Sequence, residues 1–212
     1  MKWEEFLKKV GQFPLIEGET LLVGSTQPGA LRVQLNRWQK QGKLIQLKRG
    51  FYVLAAPYFK GPLYEPYLAA RLVSPSYLSL EWALHFHDLI PESVPVWTSV
   101  TTKRPGRFTT AVGTFDYRHI QPSLFWGYHS VTTAQQTAFV ATPEKALLDF
   151  FYLQSLTISM DYLTELRLQN VENIQVSKLW EYAQRFDKPR MLQTTEVIIQ
   201  YIHSYQEGET TL

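Results

Sequence analysis

The residues with the most legible chemistry lie between 26 and 49. Arg32, Val33, Asn36, Arg37 and Lys40 recur at helical spacing, which gathers them on one face of a helix. An arginine pairs bidentately with guanine, an asparagine with adenine, and an apolar side chain meets a thymine methyl. Gly29 follows Pro28 and precedes Ala30; small side chains there allow close approach to a groove. Thr26 stands just before them as a further candidate contact. Lys43, Lys48 and Arg49 come next, on or beside a turn, where cations would meet phosphates and hold the register while base contacts specify. The pattern predicts that Thr26, Gly29, Arg32, Val33, Asn36, Arg37, Lys40, Lys43, Lys48 and Arg49 contact double-stranded DNA.

A helix over residues 26–41 would bring Leu31, Leu35 and Trp38 within about 60° of one another, a narrow core stripe opposite the cationic face. Ser25 or Thr26 can cap its start, Pro28 suits its first turn and Gly42 ends it. Upstream, Trp3, Phe6, Leu7 and Val10 have helical spacing with a charged opposite face. Residues 15–23 read as a small strand leading into a brief helix. Residues 44–54 read as a hairpin around Lys48-Arg49-Gly50. This order of elements is that of a winged helix-turn-helix. Residues 55–66 then carry three prolines and a glycine, which predicts a boundary between a DNA-binding domain over 1–60 and a second domain over 61–212.

Beyond the boundary, residues 67–73 and 78–89 are predicted helical. Residues 94–102, 108–120, 125–133 and 138–142 are rich in Val, Thr, Phe, Tyr and Trp and separated by turn groups, the pattern of a largely antiparallel sheet. Helical spacing returns over 143–156, 160–168, 177–185 and 189–205, and a polar tail follows Tyr205. The expected fold class is α+β: an N-terminal winged helix-turn-helix, then a domain with a largely antiparallel sheet and several helices.

Charge supports a division of labour. Residues 1–60 hold ten Lys/Arg against four Glu, a balance of +6, and residues 61–212 hold eleven against fifteen Asp/Glu, a balance of −4. Such asymmetry points to a polyanionic partner for the first part. Cysteine is absent, which excludes disulfides and cysteine-based metal sites. The N-terminus lacks the apolar stretch of a signal peptide, and no run approaches a membrane span. A soluble cytoplasmic protein without a membrane partner is expected.

The remaining reactive groups read as structural. Gly24 to Gly29 has the glycine spacing of a phosphate loop, but Ala30-Leu31 stand where Lys and Ser/Thr are needed. His85 and His87 would project about 200° apart on a helix and cannot easily share a metal. Thr142-Pro143-Glu144 reads as a capped helix start. Asp149 stands among apolar residues, and burial there would require a partner such as an arginine or a backbone group. Lys103-Arg104-Pro105-Gly106-Arg107 reads as a solvated turn, with a second phosphate contact or a partner surface as its alternatives. No nucleophile elbow, zinc motif, cofactor loop or close carboxylate pair is present, so no enzyme, cofactor or metal is expected.

Three stretches resemble the AbiEi-type antitoxins of bacterial type IV toxin–antitoxin systems. Leu31 to Val53 resembles the family's recognition helix and wing. Tyr77 to Pro91 is similar to the helix opening its C-terminal domain. Ala141 to Phe151, ATPEKALLDFF, resembles its Thr-Pro-Glu-Lys/Arg-Ala-Leu-Leu-Asp signature. The resemblance spans roughly residues 1–155. It implies a transcriptional regulator that represses its own operon at inverted repeats, with a C-terminal domain that neutralises a nucleotidyltransferase-like toxin without requiring a stable complex. The alternatives are a stand-alone winged-helix regulator and a protein-interaction module. Steep salt dependence would distinguish DNA binding from an apolar protein interface.

Overall fold

A computed structural model of the chain describes residues 1–23, 25, 27–154 and 158–209. Its first helix, α1 (Trp3–Val10), buries Phe6 and Val10, and carries Glu4 and Glu5 in its first turn and Lys8 and Lys9 in its last, each sign opposing the helix dipole. A two-residue strand β1 (Ile16–Glu17) leads into α2 (Gly18–Val23) and then α3 (Pro28–Lys40). Strands β2 (Leu44–Lys48) and β3 (Phe51–Leu54) form a hairpin. Its Arg49–Gly50 turn needs a glycine, because Gly50 has φ +85°. Strand β1 pairs antiparallel with β3, giving a sheet in the order β1-β3-β2.

This small sheet is buried on both faces. Leu44 and Leu54 join Phe6, Val10, Ile16, Leu31, Leu35 and Trp38 in a first core, where Trp3 and Phe6 pack against Trp38 at ring distances of 5.1 and 4.6 Å. Neighbouring Val53 points the other way, as alternation along a strand requires, and with Leu15 and Leu47 it enters the core of the larger unit. A register shift between Gln46 and Lys48 accompanies this change of face in β2. Residues 55–64 then contain neither helix nor strand.

The larger unit begins with α4 (Glu65–Leu72), β4 (Ser76–Leu78) and α5 (Leu80–Phe86). Strands β5 (Val96–Thr101), β6 (Gly106–Thr110), β7 (Gly113–His119), β8 (Tyr128–Thr133) and β9 (Gln136–Ala141) follow, then helices α6 (Pro143–Gln154), α7 (Met160–Glu165), α8 (Val176–Arg185) and α9 (Pro189–Glu209). The fold is α+β. Its six-stranded sheet has the order β6-β7-β5-β4-β9-β8. The β6–β7, β5–β4 and β9–β8 pairs are antiparallel, and the β7–β5 and β4–β9 pairs are parallel. This sheet and the small one remain separate.

Three expectations are corrected. Tyr77 and Leu78 do not open a helix; they lie in β4 near the middle of the sheet, all three of its residues buried. A strand so short shows no period, so its sheet neighbours rather than local pattern determine it. Residues 108–120 form two strands turned at Ala111–Val112, not one. The polar tail continues helix α9 to Glu209, while Leu156, expected to end α6, lies outside the described residues. Among the described residues no helix is long and apolar enough to cross a membrane.

Candidate nucleic-acid interface

Helix α3 is fixed from one side. Leu31, Leu35 and Trp38 are 5%, 3% and 4% exposed and lock the helix onto α1 and the hairpin. On the other side Gly29, Arg32, Val33, Asn36, Arg37 and Lys40 are all exposed. Val33 keeps 67% of its surface. A Cβ on Gly29 would meet nothing within 4 Å, so the start of the helix is open to an approaching surface. Gln27, not Ser25, occupies the N-cap position, and its side chain makes no capping bond. The Ser25 hydroxyl instead accepts the Gln27 N–H at 3.2 Å. Thr26 lies outside the described residues.

The hairpin brings one of its three predicted cations to this neighbourhood freely. Arg49 is exposed in the turn, and the turn is tied to the start of α2 by the Gly18 N–H donating to the Gly50 carbonyl at 2.7 Å. Lys43 is half-buried with its ammonium 5.0 Å from the centre of the Trp3 ring. Lys48 does not sit at the tip. Its ammonium turns toward the larger unit, donates to the Leu72 carbonyl and lies 4.7 and 5.6 Å from the Phe51 and Phe108 rings. Burial lowers its pKa from the ordinary lysine value. The β2–β3 register shifts between Gln46 and Lys48, and an irregularity of this kind re-aims the side chains beside it. Nearby, Arg71 bonds Glu17 across the same junction. Among the described residues, none of Arg32, Arg37, Lys40 and Arg49 is in an ion pair. Arg32, Arg37 and Lys40 make the exposed face of α3 positive, with the Asn36 amide and the Val33 methyls beside them, a combination suited to phosphates and base edges.

The acid singled out in the larger unit has a different role. Asp149 is fully buried and bonds Lys145, one helical turn earlier and also fully buried, not an arginine or a backbone group. The Tyr77 and Ser79 hydroxyls each donate to Asp149 Oδ2 at 2.9 Å, and Lys145 Nζ lies 2.9 Å from the Tyr77 oxygen. The ammonium is also 4.8 and 5.1 Å from the Trp126 and Phe186 ring centres. Burial lowers the Lys145 pKa and raises that of Asp149, each opposed by the other's charge. Gly127, with φ +78°, makes room: a Cβ there would lie 2.9 Å from Lys145 Cγ. The cluster ties α6 to β4 and to Ser79 at the start of α5. The i, i+4 spacing of Lys145 and Asp149 was the signal in the sequence; the hydroxyls from a distant strand had none.

Thr142 accepts the Lys145 N–H at 3.4 Å at the start of α6. Glu144 meets Lys178 Nζ at 2.9 Å. Among the described residues no group of three or more His, Asp or Glu could hold a metal. His87 lies with Nε2 2.7 Å from the Ala141 carbonyl oxygen. Burial lowers its pKa below the ordinary 6.5, as does nearby His129, while Ala141, Glu144 and Asp88 oppose the shift. A depressed folded value means that the unfolded chain takes the proton first, so this contribution to stability is present above about pH 6.5 and is lost as pH falls. Between about pH 7.5 and 5.5, His87→Gln should lose less unfolding free energy in urea titrations than the wild type; an equal loss would show that His87 carries none of the acid sensitivity. No family model matches the chain, and no match was found among curated proteins.

Proposed function

We propose that the chain is a regulator that binds double-stranded DNA through a winged helix-turn-helix, with α3 in the major groove. One observation carries this reading: a helix anchored by Leu31, Leu35 and Trp38 presents Arg32, Val33, Asn36, Arg37 and Lys40 to solvent without ion pairs. The β1-β3-β2 order, with a hairpin after α3, supports it. Gly29 would face the groove and Arg49 a phosphate, and Lys43 would stand at the margin. By resemblance, the preferred site is an inverted repeat, the protein is an autoregulating cytoplasmic antitoxin, and the larger unit neutralises a nucleotidyltransferase-like toxin. No catalytic role is assigned to it.

Duplex affinity measured against salt tests the DNA reading. Log affinity should fall linearly with log salt, by about 0.9 for each phosphate neutralised; a flat response would replace DNA with an apolar partner. The hairpin gives a sharper test. Arg49→Ala should reduce that slope by about 1 on all sequences alike. Lys48→Ala should leave the slope unchanged and cost about 1–2 kcal/mol of stability, because it removes a bond to the Leu72 carbonyl and packing on two rings. A slope change for Lys48→Ala and none for Arg49→Ala would reverse their assignments. For the antitoxin reading, co-expression with the product of an adjacent nucleotidyltransferase gene from an unrelated promoter should restore growth; failure by a folded, abundant protein would remove it.

A further inference from the structure

The six-stranded sheet ends on β6 at one side and β8 at the other, and the two edges differ. Strand β6 carries Arg107, and the hairpin packs beside it, with the Lys48 ammonium 5.6 Å from the centre of the Phe108 ring. Strand β8, Tyr128-His129-Ser130-Val131-Thr132-Thr133, holds no proline and no Asp, Glu, Lys or Arg. Its register with β9 runs through all its pairs without a bulge. Sheet edges are ordinarily blunted by charge, proline or bulges, and β8 has none of these. The turn into β9 is Ala134-Gln135, with φ +48° and +63°. This is a two-residue hairpin turn, whose flanking Thr133 and Gln136 exchange main-chain hydrogen bonds. Alternation then directs the N–H and C=O of Tyr128, Ser130 and Thr132 away from β9. Among the described residues, no other segment hydrogen-bonds to these groups. Ser130 and Thr132 are exposed. Phe139, opposite Ser130 on the same face, is 40% exposed, and its ring lies 5.8 Å from that of Tyr128.

We propose that β8 is the pairing edge of a symmetric dimer, joined antiparallel to β8 of a second copy so that the two sheets become one. The strand is complementary to itself. With Ser130 on the two-fold axis, Tyr128 stands opposite Thr132 of the second copy, and Thr132 opposite its Tyr128. Every outward group then finds a partner, in about six main-chain hydrogen bonds. An aromatic against a β-branched residue is a favourable cross-strand pair, and no like charges meet, because the strand carries none. The serines on the axis are small. Phe139 of each copy stands one strand away on the same face, where its exposed ring can close over them. A foreign strand would also satisfy the main chain, but a second copy brings the matching register with it. The contact is short, so it belongs to the weak, reversible class of interfaces. The inference concerns β8 alone and does not depend on the duplex-binding reading.

The test is sedimentation equilibrium of the full chain over a concentration series up to about 200 μM, the range that reports a weak interface. The average mass should rise from that of one chain toward twice it. S130K, at an exposed position, sets two ammonium groups against each other on the axis. It should weaken association by about tenfold or more with the melting temperature unchanged. S130D should do the same, and an equimolar mixture of S130K and S130D should associate at least as tightly as wild type. The chain has no cysteine, so S130C offers a single thiol, within disulfide reach of its counterpart on the axis. Oxidation should give a covalent dimer, whereas T109C, on the exposed side of β6, should remain a monomer. A protein monomeric throughout the series would overturn the proposal. Undiminished association by S130K and S130D, or cross-linking by T109C in place of S130C, would overturn it too, by putting the contact elsewhere.

Discussion

Asp149→Ala is expected to cost about 3–5 kcal/mol of folding stability, because it leaves the Lys145 ammonium buried without its counter-charge. Removing one partner of a buried pair is far more damaging than removing both. The Tyr77 and Ser79 hydroxyls would also lose their acceptor, and unsatisfied buried donors add to the cost. The double variant Lys145→Met/Asp149→Leu should lie closer to wild type than Asp149→Ala, since the two hydroxyls lose their acceptor in both but only the single variant leaves a buried charge unpaired. Urea unfolding followed by circular dichroism distinguishes the two. A single variant that is unfolded as isolated agrees with the prediction; one within about 1 kcal/mol of wild type would show that water or rearrangement satisfies the ammonium. The cluster connects α6 to the middle of the large sheet, so its loss should be felt across that unit.

The largest expected effect on binding comes from α3. Arg37→Ala alone should cost about 1–3 kcal/mol on the cognate duplex and relax preference at one base pair. R32A/R37A/K40A should remove specific binding and lower the salt slope by up to about 3, if all three reach the nucleic acid. All three side chains are exposed, so the melting temperature should barely change. Selection from a random duplex library, followed by competition between the selected site and scrambled DNA, measures both terms. Equal weakening on both would move Arg37 from base reading to phosphate contact. Undiminished binding by the triple variant would remove α3 from the interface altogether.

Local pattern carried much of the first sixty residues. The spacing of Leu31, Leu35 and Trp38 predicted the buried stripe of α3 because a helix repeats every 3.6 residues, wherever it packs. The hairpin, too, was announced by a glycine that alone tolerates its turn. Lys48 was not legible in the same way. It follows the same strand pattern as its neighbours, and only the register shift and the surface of α4 and β6 direct it inward. Strand β4 was hidden for a related reason: three residues cannot display a period, and its identity comes from partners found at positions 99–101 and 140.

The sequence by itself determined what depends on neighbours along the chain: the α+β class, most helices and strands, the cationic face of α3 and the charge difference between the two parts. It also placed an acid at Asp149 that burial would oblige to find a partner. Only the tertiary structure decided what depends on distant neighbours. It brought the Tyr77 and Ser79 hydroxyls onto Asp149 and buried the small sheet on both faces. The physical reason is that secondary structure is selected by short-range periodicity and backbone sterics. Buried charge, strand order and surface convergence instead depend on which segments meet, and no local spacing encodes those meetings.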